Sequence, residues 1–285
     1  MNKIMNGKNV VITGASDGIG KKTAEKLAIA GANLYLVGRN RSKTEAVADR
    51  LRKLNVDSNI EVFIADLSLP SQVKKVASEI KSKLKRLDVL LNNAGALFSK
   101  KTITAEGHES TFALNHLNYF LLTHELLDLL KASGNSRIVN TASQAHVGAV
   151  LDFDNLQGEK SYSGWKAYQM SKLENIMFTY ELADRLKDTK VTVNALHPGF
   201  VHSQFGNNNS GFLKNALGVV KTFFAMNEDR GSMTSFYLCS SPDVETVTGK
   251  YFDKCKIKNS TSESKNIEKR KRLWSTTEEI LRPYL

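Results

Sequence analysis

Cysteine is nearly absent: the 285-residue chain carries only two, Cys239 and Cys255. They form neither a metal-binding spacing nor a disulfide framework, so no metal site is expected and reduced thiols are the default. Long apolar runs are missing as well. Nothing approaches the ~20 consecutive apolar residues that a membrane-spanning helix needs. No secretory or targeting signal precedes the first apolar run at Asn9–Ile12, so the expected location is cytoplasmic. Neither an internal repeat nor an interdomain linker is found, and one domain is the economical reading.

Acidic residues are in short supply: 29 Asp and Glu face 40 Lys and Arg, a formal net charge of +11. Such a balance raises nucleic acid or an anionic membrane as partners. The lysines, however, are scattered over most predicted helices. Only the stretch 265–272 is concentrated, with Lys265, Lys269, Arg270, Lys271 and Arg272. A solvated basic surface accounts for this better than a nucleic-acid face. Hydrophobic content of 41% and charged content of 24% are those of a globular protein with a sizeable core.

What is present begins with a strand, a glycine-rich turn and a helix. Asn9-Val10-Val11-Ile12 reads as a strand buried on both faces. It leads into Thr13-Gly14-Ala15-Ser16-Asp17-Gly18-Ile19-Gly20 and a helical pattern from Lys21 to Ala30, closed by Gly31. Gly14 permits a tight turn, Gly18 lets the backbone approach a pyrophosphate, and Gly20 allows close helix–strand packing. The helix N-terminus then faces the negative charge. The second strand, Asn33–Gly38, ends at Arg39 with no acid to bond a ribose 2′-hydroxyl. Arg39 and Arg41 there favour a 2′-phosphate, hence NADP(H). Asp17, within the loop, would oppose a phosphate if it points inward.

Alternating helices and strands follow. A helix at 42–55 and a strand at 60–65 deliver Asp66-Leu67. Asp66 either accepts a hydrogen bond from an adenine amino group or caps the helix beginning near Pro70, and the two roles are not exclusive. After helix 71–85, strand 88–91 opens into Asn92-Asn93-Ala94-Gly95, small enough to leave room for a nucleoside. Residues 106–132 read as one long helix containing Asn115, which is either exposed or bends the helix and holds a water. Strand 137–141 delivers Ser143 at the strand end, where open α/β sheets bind ligands. Strand 191–196 ends in the rigid turn His197-Pro198-Gly199. Phe212, Leu213, Ala216, Leu217, Val220, Phe223 and Phe224 give 204–227 an apolar helical face. It suits a lid over an apolar substrate, a membrane contact or a subunit interface.

Tyr168 and Lys172 lie four residues apart in a helical pattern and so share one face. A phenol titrates near pH ~10. A neighbouring ammonium favours the phenolate and is expected to draw that pKa toward the working range. Ser143 can polarise a substrate carbonyl beside this phenol.

These motifs, TGASDGIG (13–20), NNAG (92–95), Asn115, Ser143, YQMSK (168–172) and HPG (197–199), together resemble the short-chain dehydrogenase/reductase family from about residue 8 to at least 255. The segments 106–127, 195–204 and 249–256 are similar to its retinol dehydrogenase branch. Asn118-Tyr119 replaces a Gly-His pair common in that branch, and Ser203 stands where many relatives have threonine. The resemblance implies a single-domain, Rossmann-type, doubly wound parallel α/β sheet of about seven strands with helices on both faces. Its dinucleotide-binding half would be about 8–135, its catalytic and substrate half about 136–255, and its C-terminal extension 256–285. Asn115, Ser143, Tyr168 and Lys172 are then the expected catalytic tetrad. Gly14, Ser16, Gly18, Ile19, Gly20, Asp66, Asn93 and Gly95 are expected to line the cofactor, with the adjoining Asp17, Arg39, Leu67 and Ala94. Pro198, Gly199, Val201 and Ser203 would lie near the nicotinamide. Lys172 would also bind the nicotinamide ribose, and Asn115 would support a proton path through water.

The expected activity is NADP(H)-dependent interconversion of an alcohol and its aldehyde or ketone. The expected substrate is lipophilic, such as a retinoid, steroid or long-chain aldehyde. Helix-mediated dimers or tetramers and peripheral membrane contact are further expectations. A non-catalytic NADP(H) sensor or a light-dependent tetrapyrrole reductase would share much of this architecture.

Overall fold

The structure, a computed structural model, describes residues 3–199 and 228–285. Apolar strands too short to be helices form its centre: β1 (Asn9–Thr13), β2 (Asn33–Gly38), β3 (Ile60–Ile64), β4 (Val89–Asn92), β5 (Ser136–Thr141), β6 (Val191–His197) and β7 (Lys250–Asp253). They run parallel in the order β3-β2-β1-β4-β5-β6-β7. An eighth strand, β8 (Lys256–Lys258), pairs antiparallel with β7 at the edge. The expectation of about seven strands omitted it. A two-residue turn at Lys254 and Cys255, both at positive φ (50° and 61°), folds it back.

Helices cover both faces. On one lie α1 (Gly18–Ile29) and α2 (Arg41–Leu54), with Leu27, Leu51 and Leu34 in a shared apolar cluster. The other carries α3 (Pro70–Lys83), α4 (Ser110–Phe112), α5 (Asn118–Ala132) and α6 (Gly164–Arg185), which share a second cluster. Strands sealed on both sides account for unbroken runs such as Val10-Val11-Ile12, each 0% exposed. Downstream lie α7 (Glu228–Ser240), which joins the α1 side through Leu238, α8 (Ser262–Lys265) and α9 (Ile267–Leu281). From α9, Trp274 packs against Phe120 and Phe178, 4.7 and 5.9 Å between ring centroids.

The single helix expected over 106–132 is broken. Residues before Ser110 form a turn bridged between Ile103 and Glu109, and Glu109 caps α4 by accepting from Thr111 N and Phe112 N. A π-turn spans Ala113–Leu117 before α5 begins. It carries Asn115 to full burial at 0% exposure, which overturns the exposed alternative.

Candidate active site

At the carboxyl ends of β1, β4 and β5 the predicted residues converge. Thr13 organises the first junction: its Oγ1 accepts from Asn93 N at 2.8 Å and Ala94 N at 3.0 Å. Asn93 Nδ2 donates to Thr13 O at 2.9 Å, and Asn92 Nδ2 to Asn140 Oδ1 at 2.9 Å. The asparagines therefore tie β4 to both neighbouring strands. Thr13 lies inside the glycine motif, but its role is visible only in the fold.

The glycine loop is flush against this junction. A Cβ on Gly14 would lie 2.9 Å from Ala94 Cα, and one on Gly20 would lie 2.3 Å from Gly14 O. Gly18 turns into α1 at φ +54°. The first turn of α1 presents N–H groups that no helical carbonyl can accept. Ser16 and Ile19 are half-buried along the same edge. Asp17 caps α1, accepting from Gly18 N at 2.8 Å, rather than pointing inward against a phosphate. The cation at the end of β2, Arg39, is exposed and lies 3.9 Å from Asp66 Oδ2. Asp66 Oδ1 accepts from Ser68 N and Oγ. Leu69, the N-cap of α3, has no side-chain cap, so Asp66 shapes the turn before the helix instead of capping it. Leu67 is 5% exposed in the main core, which leaves only its main chain for a ligand.

Asn115 accepts from Ala96 N at 2.9 Å and donates from Nδ2 to Ala96 O and Ser171 Oγ, each at 2.9 Å. It therefore staples the strand end after Gly95 to α6. Ser171, the fourth residue of the YQMSK motif, is a contributor that sequence reasoning passed over. Lys172 Nζ donates to Thr141 O at 3.2 Å and lies 5.4 Å from the Tyr168 ring centroid. Ser143 Oγ accepts from Ala145 N at 3.1 Å and hydrogen-bonds the Tyr168 side chain. The four expected catalytic residues thus share one locus. Pro198 and the positive-φ Gly199 follow β6 directly. Val201, Ser203 and the stretch 204–227 lie outside the described residues.

The electrostatics depart from expectation. Burial pushes the Tyr168 phenol up to about 12, opposed by the bond to Ser143. Burial also pushes the Lys172 amine down to about 7. The anticipated acidification of Tyr168 by its neighbour is therefore outweighed here: desolvation penalises both charged forms, and a half-neutral amine exerts a weaker field.

These residues fit a dinucleotide. Side-chain-free turns at Gly14 and Gly18, the first-turn N–H groups of α1 that follow the Asp17-capped Gly18 and an exposed Arg39 suit a phosphorylated ligand. Among the described residues, the amine of Lys172 has a single acceptor although it carries up to three donors, which leaves capacity for ribose hydroxyls.

Known proteins agree with the geometry. The short chain dehydrogenase family description matches residues 8–211. Retinol dehydrogenase 12 from Mus musculus is 40% identical over 96% of this chain and 86% of its own length. An uncharacterised protein from Mycobacterium paratuberculosis superimposes with a TM-score of 0.78 at 28% identity, over 97% of this chain and 94% of that one. A short chain dehydrogenase from Escherichia coli, complexed with NADPH, gives 0.70 at 26% identity, over 89% and 99%. With its parallel sheet, glycine turn and Ser143–Tyr168–Lys172 cluster, the chain belongs to the short-chain dehydrogenase family and is an oxidoreductase related to the retinol dehydrogenases.

Proposed function

We propose that the protein is an NADP(H)-dependent oxidoreductase interconverting a lipophilic alcohol and its aldehyde or ketone. The observation that carries this reading is the shared locus of Ser143, Tyr168 and Lys172 beside the glycine loop. When bound, the cofactor supplies the hydride chemistry. The protein's residues supply position and a proton. Tyr168 gives its hydroxyl proton to the carbonyl oxygen during reduction and takes it back during oxidation. Ser143 hydrogen-bonds that oxygen. Lys172 holds ribose hydroxyls and, when charged, favours the phenolate. Asn115 anchors Ala96 and Ser171, and a water beside it would relay the proton.

NADP(H) is supported by Arg39 and the missing acid at the end of β2, and by the NADPH held by the Escherichia coli relative. A lipophilic substrate is supported by the apolar residues between 212 and 224, by the named relatives, and by an apolar rim. Trp165 is 45% exposed with its ring 6.0 Å from that of Tyr168, and Val147 and Val150 are exposed nearby in sequence to Ser143. Any dimer or tetramer would form away from the Phe120–Phe178 face, which α9 covers. Among the described residues no helix is long and apolar enough to cross a membrane. A cytoplasmic location is part of this proposal, in keeping with two free thiols, and 204–227 is a candidate lid, peripheral membrane contact or subunit interface.

NADPH oxidation is to be followed with a panel of aldehydes, ketones and retinal. Wild-type turnover on at least one carbonyl is expected, with a loss of about 100-fold or more in Tyr168→Phe. A Tyr168→Phe variant with undiminished kcat would defeat the reading.

A further inference from the structure

The peptide unit that follows Ser143 is gripped at both of its polar atoms by imidazoles. Ser143 O lies 2.7 Å from His146 Nδ1, and the N–H of Gln144 donates to His197 Nδ1 at 3.2 Å. A carbonyl only accepts, so His146 carries its proton on Nδ1. An N–H only donates, so Nδ1 of His197 is bare and its neutral ring is protonated on Nε2. The rings are 1% and 6% exposed.

Two separate parts of the fold bring them there. His146 ends the 3₁₀ turn Gln144–His146, which begins directly after Ser143. His197 is the last residue of β6, beside β5. The hydrogen bond from Ala142 N to Leu196 O, 2.8 Å, extends the β5–β6 ladder by one step. The imidazole of His197 then serves as an acceptor for the next part of the chain. Tyr251 packs edge-on against His146 at 5.1 Å, and Gln169 Nε2 donates to Ala145 O at 3.2 Å. Burial lowers both histidines, His197 to about 4, which keeps the rings neutral at physiological pH.

We propose that His146 and His197 are a pair of positioning residues that fix the Ser143–Gln144 peptide plane and thereby aim Ser143 Oγ at the Tyr168 hydroxyl. The inference rests on the role given to Ser143 above. Removing the His197 imidazole takes away the acceptor of the Gln144 N–H, and removing that of His146 leaves Ser143 O with the longer bond from His146 N, 3.2 Å, alone. Rotation of the plane recovers a partner and carries Ser143 Oγ, held at 3.1 Å by Ala145 N, away from the phenol. Catalytic geometry is sensitive to such shifts.

Asparagine and glutamine separate positioning from bulk. An asparagine amide reaches the Nδ1 locus, whereas a glutamine amide reaches the Nε2 locus. The experiment measures kcat and KM for carbonyl reduction in His146→Asn, His146→Gln, His197→Asn, His197→Gln and Ser143→Ala, with NADPH affinity as the control for folding. The glutamine variants should lose about tenfold to 100-fold in kcat with KM little changed, and the asparagine variants should recover most of it. Nitrogen NMR of the wild-type rings should show opposite tautomers, Nδ1–H for His146 and Nε2–H for His197. This readout also decides the matter if a variant does not fold. Wild-type kcat in the glutamine variants alongside a slow Ser143→Ala would overturn the clamp alone. An undiminished Ser143→Ala would overturn the role of Ser143 and the clamp with it. Asparagine variants as slow as the glutamine ones, or matching tautomers, would also overturn it.

Discussion

Lys172 Nζ lies 5.4 Å from the centre of the Tyr168 ring, and both groups are buried, at 3% and 9% exposure. Burial works on them in opposite directions, raising the phenol to about 12 and lowering the amine to about 7. Carbonyl reduction needs the phenol with its proton, the form that dominates across the whole neutral range. Alcohol oxidation needs the phenolate, which is scarce there and grows about tenfold per pH unit below the pKa. The kcat/KM for oxidation should therefore climb from about pH 7 to about pH 10, while that for reduction stays flat with respect to this group. Profiles in both directions on one alcohol–carbonyl pair check this, and a level oxidation profile would contradict it.

The parts of this site that were legible in the sequence are local. Tyr168 and Lys172 share a helix, so their spacing alone places them on one face. The glycine loop is likewise read from one contiguous stretch. Asn115 was half legible: leucine spacing runs through the π-turn at Ala113–Leu117 without a break, so periodicity shows one helix where the chain makes three pieces. Strand β8 was hidden because all three of its residues are exposed, including two lysines. The protonation states were least accessible. They depend on burial created by segments far apart in sequence, and the spacing predicted the wrong direction for Tyr168. His197 meets Gln144 across 53 positions of sequence, and no local pattern signals that contact.

Arg39 is the exposed cation at the end of β2, with the nearest Asp66 oxygen 3.9 Å away. An ion pair at this distance and exposure contributes little to stability. Its loss should leave the fold intact and act on cofactor choice. Arg39→Ala should reduce the NADPH-to-NADH ratio of kcat/KM by about tenfold, equivalent to ~1.4 kcal/mol for one exposed charge-assisted contact. Steady-state kinetics with both cofactors measure it. An unchanged ratio would show that the 2′-phosphate is read elsewhere.

Gly95 marks the tightest approach to the catalytic groups. A Cβ there would lie 3.1 Å from Asn115 Oδ1 and 3.4 Å from Lys172 Nζ. Asn115 cannot yield freely, because its amide is already committed to Ala96 and Ser171. Gly95→Ala should therefore displace the Asn115–Lys172 pair by a few tenths of an ångström and lower kcat on the order of tenfold. The melting temperature should drop only modestly, since the adjoining strand β4 keeps its ladder. Full activity in this variant would mean that the locus tolerates more movement than its packing suggests.

His116 couples pH to the attachment of the C-terminal helix. It sits in the π-turn at 1% exposure, with Nε2 2.9 Å from Thr277 Oγ1 of α9. Thr277 donates its own proton to Leu273 O at 2.7 Å, so His116 must be the donor, protonated on Nε2 with Nδ1 bare. Among the described residues Nδ1 has no partner, and a second proton there would place an uncompensated charge in the core. Burial accordingly lowers the group from 6.5 to about 3. Between those two values the unfolded chain binds a proton that the folded chain refuses. Stability therefore falls as pH drops from 6.5 toward 3, by about 1.4 kcal/mol per pH unit for this residue. His116→Gln keeps a donor near Nε2 for Thr277 and cannot titrate. Urea unfolding at several pH values between about 6 and about 4 should give a slope shallower by roughly that amount in the variant than in the wild type. The difference isolates His116 from the carboxylates that titrate in the same range, and equal slopes in the two proteins would show that the imidazole accepts its proton without cost.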